Sequence, residues 1–98
     1  MREIRKTDVY VSWIDQLRDQ QGRARILARV ERFAVGNPGD VRPVGEGVSE
    51  LRIDVGPGYR VYFTKHGQKL VILLAGGDKS TQAADIRRAL RLARNLKE

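Results

Sequence analysis

Val9, Trp13 and Leu17 recur every four residues, with Ile14 beside them. That spacing predicts an amphipathic helix, opened by Thr7 or Asp8 as a cap and running to about Asp19. Gln21-Gly22 is expected to break it. A second helix follows from Arg23 to about Val35, with Ile26, Leu27, Val30, Phe33 and Ala34 on one face. Gly36-Asn37-Pro38-Gly39-Asp40 reads as a loop. After it the period changes to two. Val41 to Glu46, Val48 to Val55, Tyr59 to His66 and Lys69 to Ala75 read as strands, separated by short glycine-bearing links. Such links predict consecutive antiparallel hairpins. Leu70 to Ala75 is apolar at every position, so it should lie inside the sheet and be covered on both faces. Gly76 to Ser80 reads as a loop. A last helix, capped by Ser80 or Thr81, carries the stripe Ile86, Leu90, Ala93 and Leu96. Arg2 to Arg5 adds a short first strand. The order is β-α-α-β-β-β-β-α, an α+β antiparallel sheet with helices expected on one face.

Length and composition narrow the picture. The 98 residues fit one domain, spanning residues 1–98. No apolar run reaches the roughly 20 residues of a membrane helix. No apolar signal core follows Met1-Arg2-Glu3-Ile4-Arg5-Lys6, so a cytoplasmic protein without membrane contact is expected. The chain has no cysteine and one histidine, which excludes a disulfide framework and the usual zinc sites. No metal or cofactor is called for. Nineteen Lys and Arg against twelve Asp and Glu leave a net charge of +7. An excess of this size points to a polyanionic partner: nucleic acid, the ribosome or an acidic protein. Arg23, Arg25, Arg29 and Arg32 lie on the polar side of the second helix; Arg87, Arg88, Arg91 and Arg94 lie on that of the last. Both sets are candidates for RNA contact, against the plainer reading of solvated faces.

Three stretches carry a resemblance. They are Val44-Gly45-Glu46-Gly47-Val48-Ser49-Glu50-Leu51-Arg52-Ile53-Asp54, Gly56-Pro57-Gly58-Tyr59-Arg60-Val61-Tyr62-Phe63, and Leu73-Leu74-Ala75-Gly76-Gly77-Asp78-Lys79-Ser80. Together with the two preceding helices they resemble the HigB-like addiction module killer proteins of the RelE/ParE superfamily. The resemblance implies a RelE-like sheet and a type II toxin. It implies a cognate helix-turn-helix antitoxin, with the ribosome and mRNA as further partners. Many relatives are metal-independent endoribonucleases that cut mRNA in the ribosomal A site. ParE-like relatives instead inhibit DNA gyrase, and a non-toxic RNA-binding module is a third reading.

The candidate chemistry follows. RNA cleavage without metal needs cations at the scissile phosphate and groups that move protons. Arg60, in Gly-Tyr-Arg, stands where the resemblance places a phosphate-contacting arginine. Its guanidinium offers forked donors and stays charged. Strand alternation sets Arg60 and Tyr62 on the face opposite Tyr59, Val61 and Phe63, expected to be open. Arg52 is a second phosphate ligand or a structural ion-pair partner. Lys79 is a stabiliser of the phosphorane or a solvated loop lysine. Asp78 beside it either orients Lys79 or caps the last helix. Tyr62 would stack on a base, transfer a proton or pack at the core edge. His66, at an expected hairpin tip, lies apart from these. Arg52 and Asp54 occupy positions where RelE toxins carry lysines, and no aromatic residue follows Phe63. A general base is therefore not evident among these residues.

Overall fold

The computed structural model describes residues 2–96. The elements are β1 (Glu3–Lys6), α1 (Asp8–Gln16), α2 (Gln20–Ala34), β2 (Val41–Gly45), β3 (Val48–Ile53), β4 (Tyr59–His66), β5 (Leu70–Asp78), a 3-10 turn (Lys79–Thr81) and α3 (Gln82–Arg94). The class and order match the expectation: α+β, with one five-stranded sheet in the order β1-β5-β4-β3-β2.

Two features of the expected sheet need correction. It is mixed, because β1 runs parallel to β5, pairing Glu3 to Lys6 with Leu70 to Leu73. The remaining pairs are antiparallel. The helices also cover both faces. Tyr10 and Ile14 of α1 and Ile26, Val30 and Phe33 of α2 pack on Leu51, Val61, Phe63, Val71 and Leu73. On the opposite face, Ile86, Ala89, Leu90 and Ala93 of α3 pack on Val48, Tyr62, Ile72 and Leu74. The cause is visible in β5. An all-apolar strand leaves a greasy row on each face, and α1 and α2 can cover only one. The apolar stripe of α3 covers the other.

A third difference lies at Gly76-Gly77. The pair was expected to end the strand, yet β5 continues to Asp78. A Cβ on Gly76 would fall inside the Trp13 ring, and one on Gly77 would fall on the Asp85 carboxylate. The two glycines serve close approach rather than a turn, one on each face.

Side-chain caps anchor the helices. The Thr7 hydroxyl accepts the Tyr10 N–H at 3.1 Å and donates to the Leu74 carbonyl at 2.6 Å, which fixes α1 to the sheet. Asp19 caps α2 by accepting the Gly22 N–H at 3.0 Å, and it also accepts the Tyr59 hydroxyl at 2.7 Å. Gln21-Gly22 was expected to separate the two helices, but both residues sit in the first turn of α2. A Cβ on Gly22 would lie 2.5 Å from Asp19 and 2.6 Å from Tyr59. Glu46 and Gly47 both have positive φ, 53° and 80°, as a two-residue hairpin turn needs. Arg94 closes onto that turn with two bonds to the Glu46 carboxylate, at 2.8 and 2.6 Å. Among the described residues no helix is long and apolar enough to cross a membrane.

The Asp19 cap carries a pH signature. The Gly22 N–H, and then the Tyr59 hydroxyl, hold the Asp19 carboxyl below its ordinary range. A depressed folded-state value means stability that is fully present above the unfolded value and lost as pH falls through the folded one. The loss therefore begins near the usual carboxylate range of about 4 and runs downward. Asp19→Asn is expected to flatten this acid limb. Urea midpoints between about pH 6 and about pH 3 should fall less steeply in the variant than in the wild type.

Candidate functional site

β3 and β4 bring the predicted cations together. Arg52 and Arg60 are direct partners across the two strands, and Glu50 stands opposite Tyr62. Like charges set directly opposite repel. Here a carboxylate lies between them. Glu50 Oε2 is 3.8 Å from Arg52 Nε and 3.8 Å from Arg60 Nε. Both distances are ion-pair contacts, too long for hydrogen bonds. Both Nε atoms are buried without a hydrogen-bond acceptor. Arg60 is 5% exposed and Glu50 2%, whereas the Arg52 side chain is 29% exposed. Arg60 Nη1 donates to the Tyr59 carbonyl at 3.1 Å. Arg52 Nε also lies 3.8 Å from Asp40 on the loop before β2. From α3, the Gln82 amide donates to the two Glu50 oxygens at 3.0 and 3.4 Å.

Lys79 joins the same end of the sheet. A Cβ on Gly58 would be 3.4 Å from Arg60 Nη1 and 3.6 Å from Lys79 Cβ, so both residues border that glycine. Lys79 is exposed. Asp78 does not orient it: its carboxylate accepts the Ser80 N–H at 2.8 Å and so caps the 3-10 turn.

These residues lie within a stretch that matches known proteins. The model of the phage-derived protein Gp49-like (DUF891) family matches residues 12–98. A protein of Haemophilus influenzae, described as uncharacterized, is 48% identical over 94 residues, covering 96% of this chain and 95% of its own length. The chain belongs to the Gp49-like family. It is a toxin-like, addiction-module family of the RelE/HigB type.

In this Gp49-like chain several expected placements change. The face bearing Arg60 and Tyr62 is not open, because α3 lies over it. Tyr62 is 0% exposed. Burial first, then Glu50 and Asp85, push its phenol upward, against the opposing effect of Arg60. It therefore stays protonated, and its ring cannot reach a base. Tyr62 packs in the core beneath α3, and its buried hydroxyl has no hydrogen-bond partner. Arg29 is also corrected. It is 7% exposed and donates to the Pro38 carbonyl, so it straps the loop before β2 instead of facing RNA. Burial lowers its guanidinium.

Arg25, Arg32, Arg87, Arg88 and Arg91 are exposed. The two helices that bear them lie on opposite faces of the sheet, so they do not form one surface. Arg87, Arg88 and Arg91 are carried by α3, the helix that lies over the face of the Arg52–Arg60 pair, and Arg88 borders a cleft with Asp8, Ser12 and Gln16 of α1. Arg23 donates to the Ile14 carbonyl at 3.1 Å, and Arg94 is held by Glu46. His66 lies at the far end of β4 from Arg60, roughly 20 Å away at strand rise. Among the described residues no three His, Cys, Asp or Glu side chains gather as a metal site requires.

Sequence reasoning missed Glu50, Gln82 and Asp85. The Glu50 signal was present, since it precedes Arg52 by two residues and must share its face. Asp85 accepts the Thr81 hydroxyl at 2.6 Å and lies over Gly77, the β5 partner of Arg60. Only the path of α3 shows that Gln82 and Asp85 arrive there.

Proposed function

We propose that this protein is the toxin of a type II toxin–antitoxin pair and a ribosome-dependent mRNA endoribonuclease. One observation carries the reading: two cross-strand guanidiniums, each with a buried donor that lacks an acceptor, next to an exposed lysine. Buried polar groups are nearly always hydrogen-bonded, so each exception calls for a reason; the Tyr10 and Tyr62 hydroxyls are also unpaired, and it is the gathering of three cations that distinguishes this end of the sheet. The family's toxin-like character and the +7 charge support it.

In this reading the ribose 2′-oxygen attacks the adjacent phosphorus, and the bond to the 5′-oxygen breaks. The products are a 2′,3′-cyclic phosphate and a 5′-hydroxyl. Arg52 and Arg60 hold the phosphate and the charge that builds on the phosphorane oxygens. Lys79 stabilises or protonates the leaving 5′-oxygen. A guanidinium cannot accept the 2′-proton, so the ribosome, which orders the codon, completes the proton transfer. Arg87 and Arg91 of α3 contact ribosomal RNA. The partner that silences the protein is a helix-turn-helix antitoxin, and the setting is the cytoplasm.

Lys79→Ala tests the assignment with little risk to the fold, because the residue is exposed. On purified ribosomes programmed with a defined mRNA, cleavage is expected to slow about 10- to 1,000-fold. Wild-type cleavage in the variant would remove Lys79 from the mechanism.

A second reading, a ParE-like gyrase inhibitor without nuclease chemistry, is favoured by the burial of Arg60 against Glu50. It predicts intact transcripts and DNA damage signalling when the chain is expressed without its antitoxin.

A further inference from the structure

We propose that Glu50 is a positioning residue. It holds the Arg52 and Arg60 guanidiniums as one phosphate-binding unit, and Gln82 fixes the orientation of its carboxylate. The inference rests on the nuclease reading above for its catalytic consequence, but its structural content stands apart.

The geometry carries the argument. A carboxylate that is 2% exposed is costly to bury. It persists here at the one point that touches both arginines. Its Oε2 meets Nε of each at the same 3.8 Å distance. That contact uses the inner edge of each guanidinium. Arg52, the more exposed of the two, presents the edge of the pair that a phosphate can reach. Arg60 commits Nη1 to the Tyr59 carbonyl, which fixes the plane of its guanidinium further. Without Glu50, two cations that are direct strand partners would repel and splay apart.

Gln82 supplies the second half of the device. Its amide reaches both carboxylate oxygens from the first turn of α3. Rotation of the carboxylate would break at least one of these bonds. The orientation of the arginine pair is therefore tied to the seating of α3 on the sheet. This explains why a buried acid stands among residues whose expected task is to bind an anion. Preorganisation of the donors, rather than maximal positive charge, is what stabilises a transition state.

The test uses Glu50→Gln and the exchanged pair Glu50→Gln with Gln82→Glu. Two readouts are needed. The first is the single-turnover rate and the apparent KM of the full chain on programmed ribosomes. The second is the proton–nitrogen spectrum of the arginine Nε–H groups. In the wild type the Arg52 and Arg60 signals should exchange slowly and stand apart from those of exposed Arg87, Arg88 and Arg91. In Glu50→Gln they are expected to join the fast-exchanging set. The rate should fall on the order of 100-fold while KM holds or drops. The exchanged pair restores the local charge and the amide–carboxylate bond. It should recover any stability lost in the single variant, but not the rate, because its carboxylate no longer sits between the arginines.

Wild-type rate and unchanged Nε–H exchange in a folded Glu50→Gln protein would overturn the proposal. So would full recovery of the rate in the exchanged pair, which would show that charge alone matters. If the wild type itself leaves programmed mRNA intact, the nuclease reading fails and the spectra alone decide. Protection lost in Glu50→Gln then supports the positioning role, and protection retained refutes it.

Discussion

Arg60→Lys is expected to yield a folded protein that cleaves mRNA about 100- to 1,000-fold more slowly than the wild type. That range corresponds to loss of one preorganised donor at a developing oxyanion. Lysine keeps the charge beside Glu50, so the buried carboxylate remains paired. What it loses is the rigid fork. An ammonium is a point charge on a flexible stem and cannot contact Glu50, the Tyr59 carbonyl and a phosphate together. Arg60→Ala is the blunter variant. It strips Glu50, 2% exposed, of one of its two cations. Removing one partner of a buried pair costs about 3 kcal/mol or more, less where a second cation remains. A loss of activity in the alanine variant would therefore mix chemistry with stability, and the lysine variant separates them. Cleavage rates together with thermal midpoints check the claim: the rate should collapse while the midpoint moves little.

The second large effect concerns the fold. Gly76→Ala is expected to destabilise the protein by about 1 to 3 kcal/mol, the usual cost of overpacking. At this chain length each kcal/mol shifts the melting point by about 4 to 8 °C. The added methyl would overlap the Trp13 ring. Trp13 in turn packs against Tyr10 and Tyr59, with ring centroids 6.0 and 6.4 Å away. Moving it disturbs Tyr59, and with it the Asp19 cap. Gly77→Ala presses instead on the Asp85 carboxylate, on the face with Arg60. Asp85 is only half-buried and can swing away from Thr81. That variant should lose less stability. Thermal denaturation of the two neighbouring variants would show the contrast, and equal losses would contradict it.

Much of the architecture could be read from periodicity. β4 spans Tyr59–His66, as alternation and the flanking glycines indicated. The apolar run from Leu70 marked an interior strand, and β5 lies between β1 and β4. The errors share a cause. Gly76-Gly77 was taken for a loop because local sequence shows a glycine's conformational freedom but not the ring or carboxylate that needs its missing side chain. The open face was misjudged because an amphipathic stripe shows that α3 must be buried, not which face it covers. Arg29 and Arg32 stand three residues apart on one helix and look equivalent. Only the loop at Pro38 and Gly39 folds over the first. At the site, strand alternation placed Arg60 opposite Tyr59, Val61 and Phe63, and the same rule, not applied to Glu50, would have set that acid on the face of Arg52. It could not show that the acid sits between the two bases, because that depends on the register of β3 against β4.

Mapping of mRNA 5′ ends after brief expression without antitoxin, with Arg60→Lys beside the wild type, tests the central claim most directly. New ends inside translated codons should appear in the wild type, vanish when translation is blocked, and be absent or sharply reduced in the folded variant. Arrested growth with intact transcripts would contradict the account and recast Arg52, Arg60 and Lys79 as a binding surface for another target.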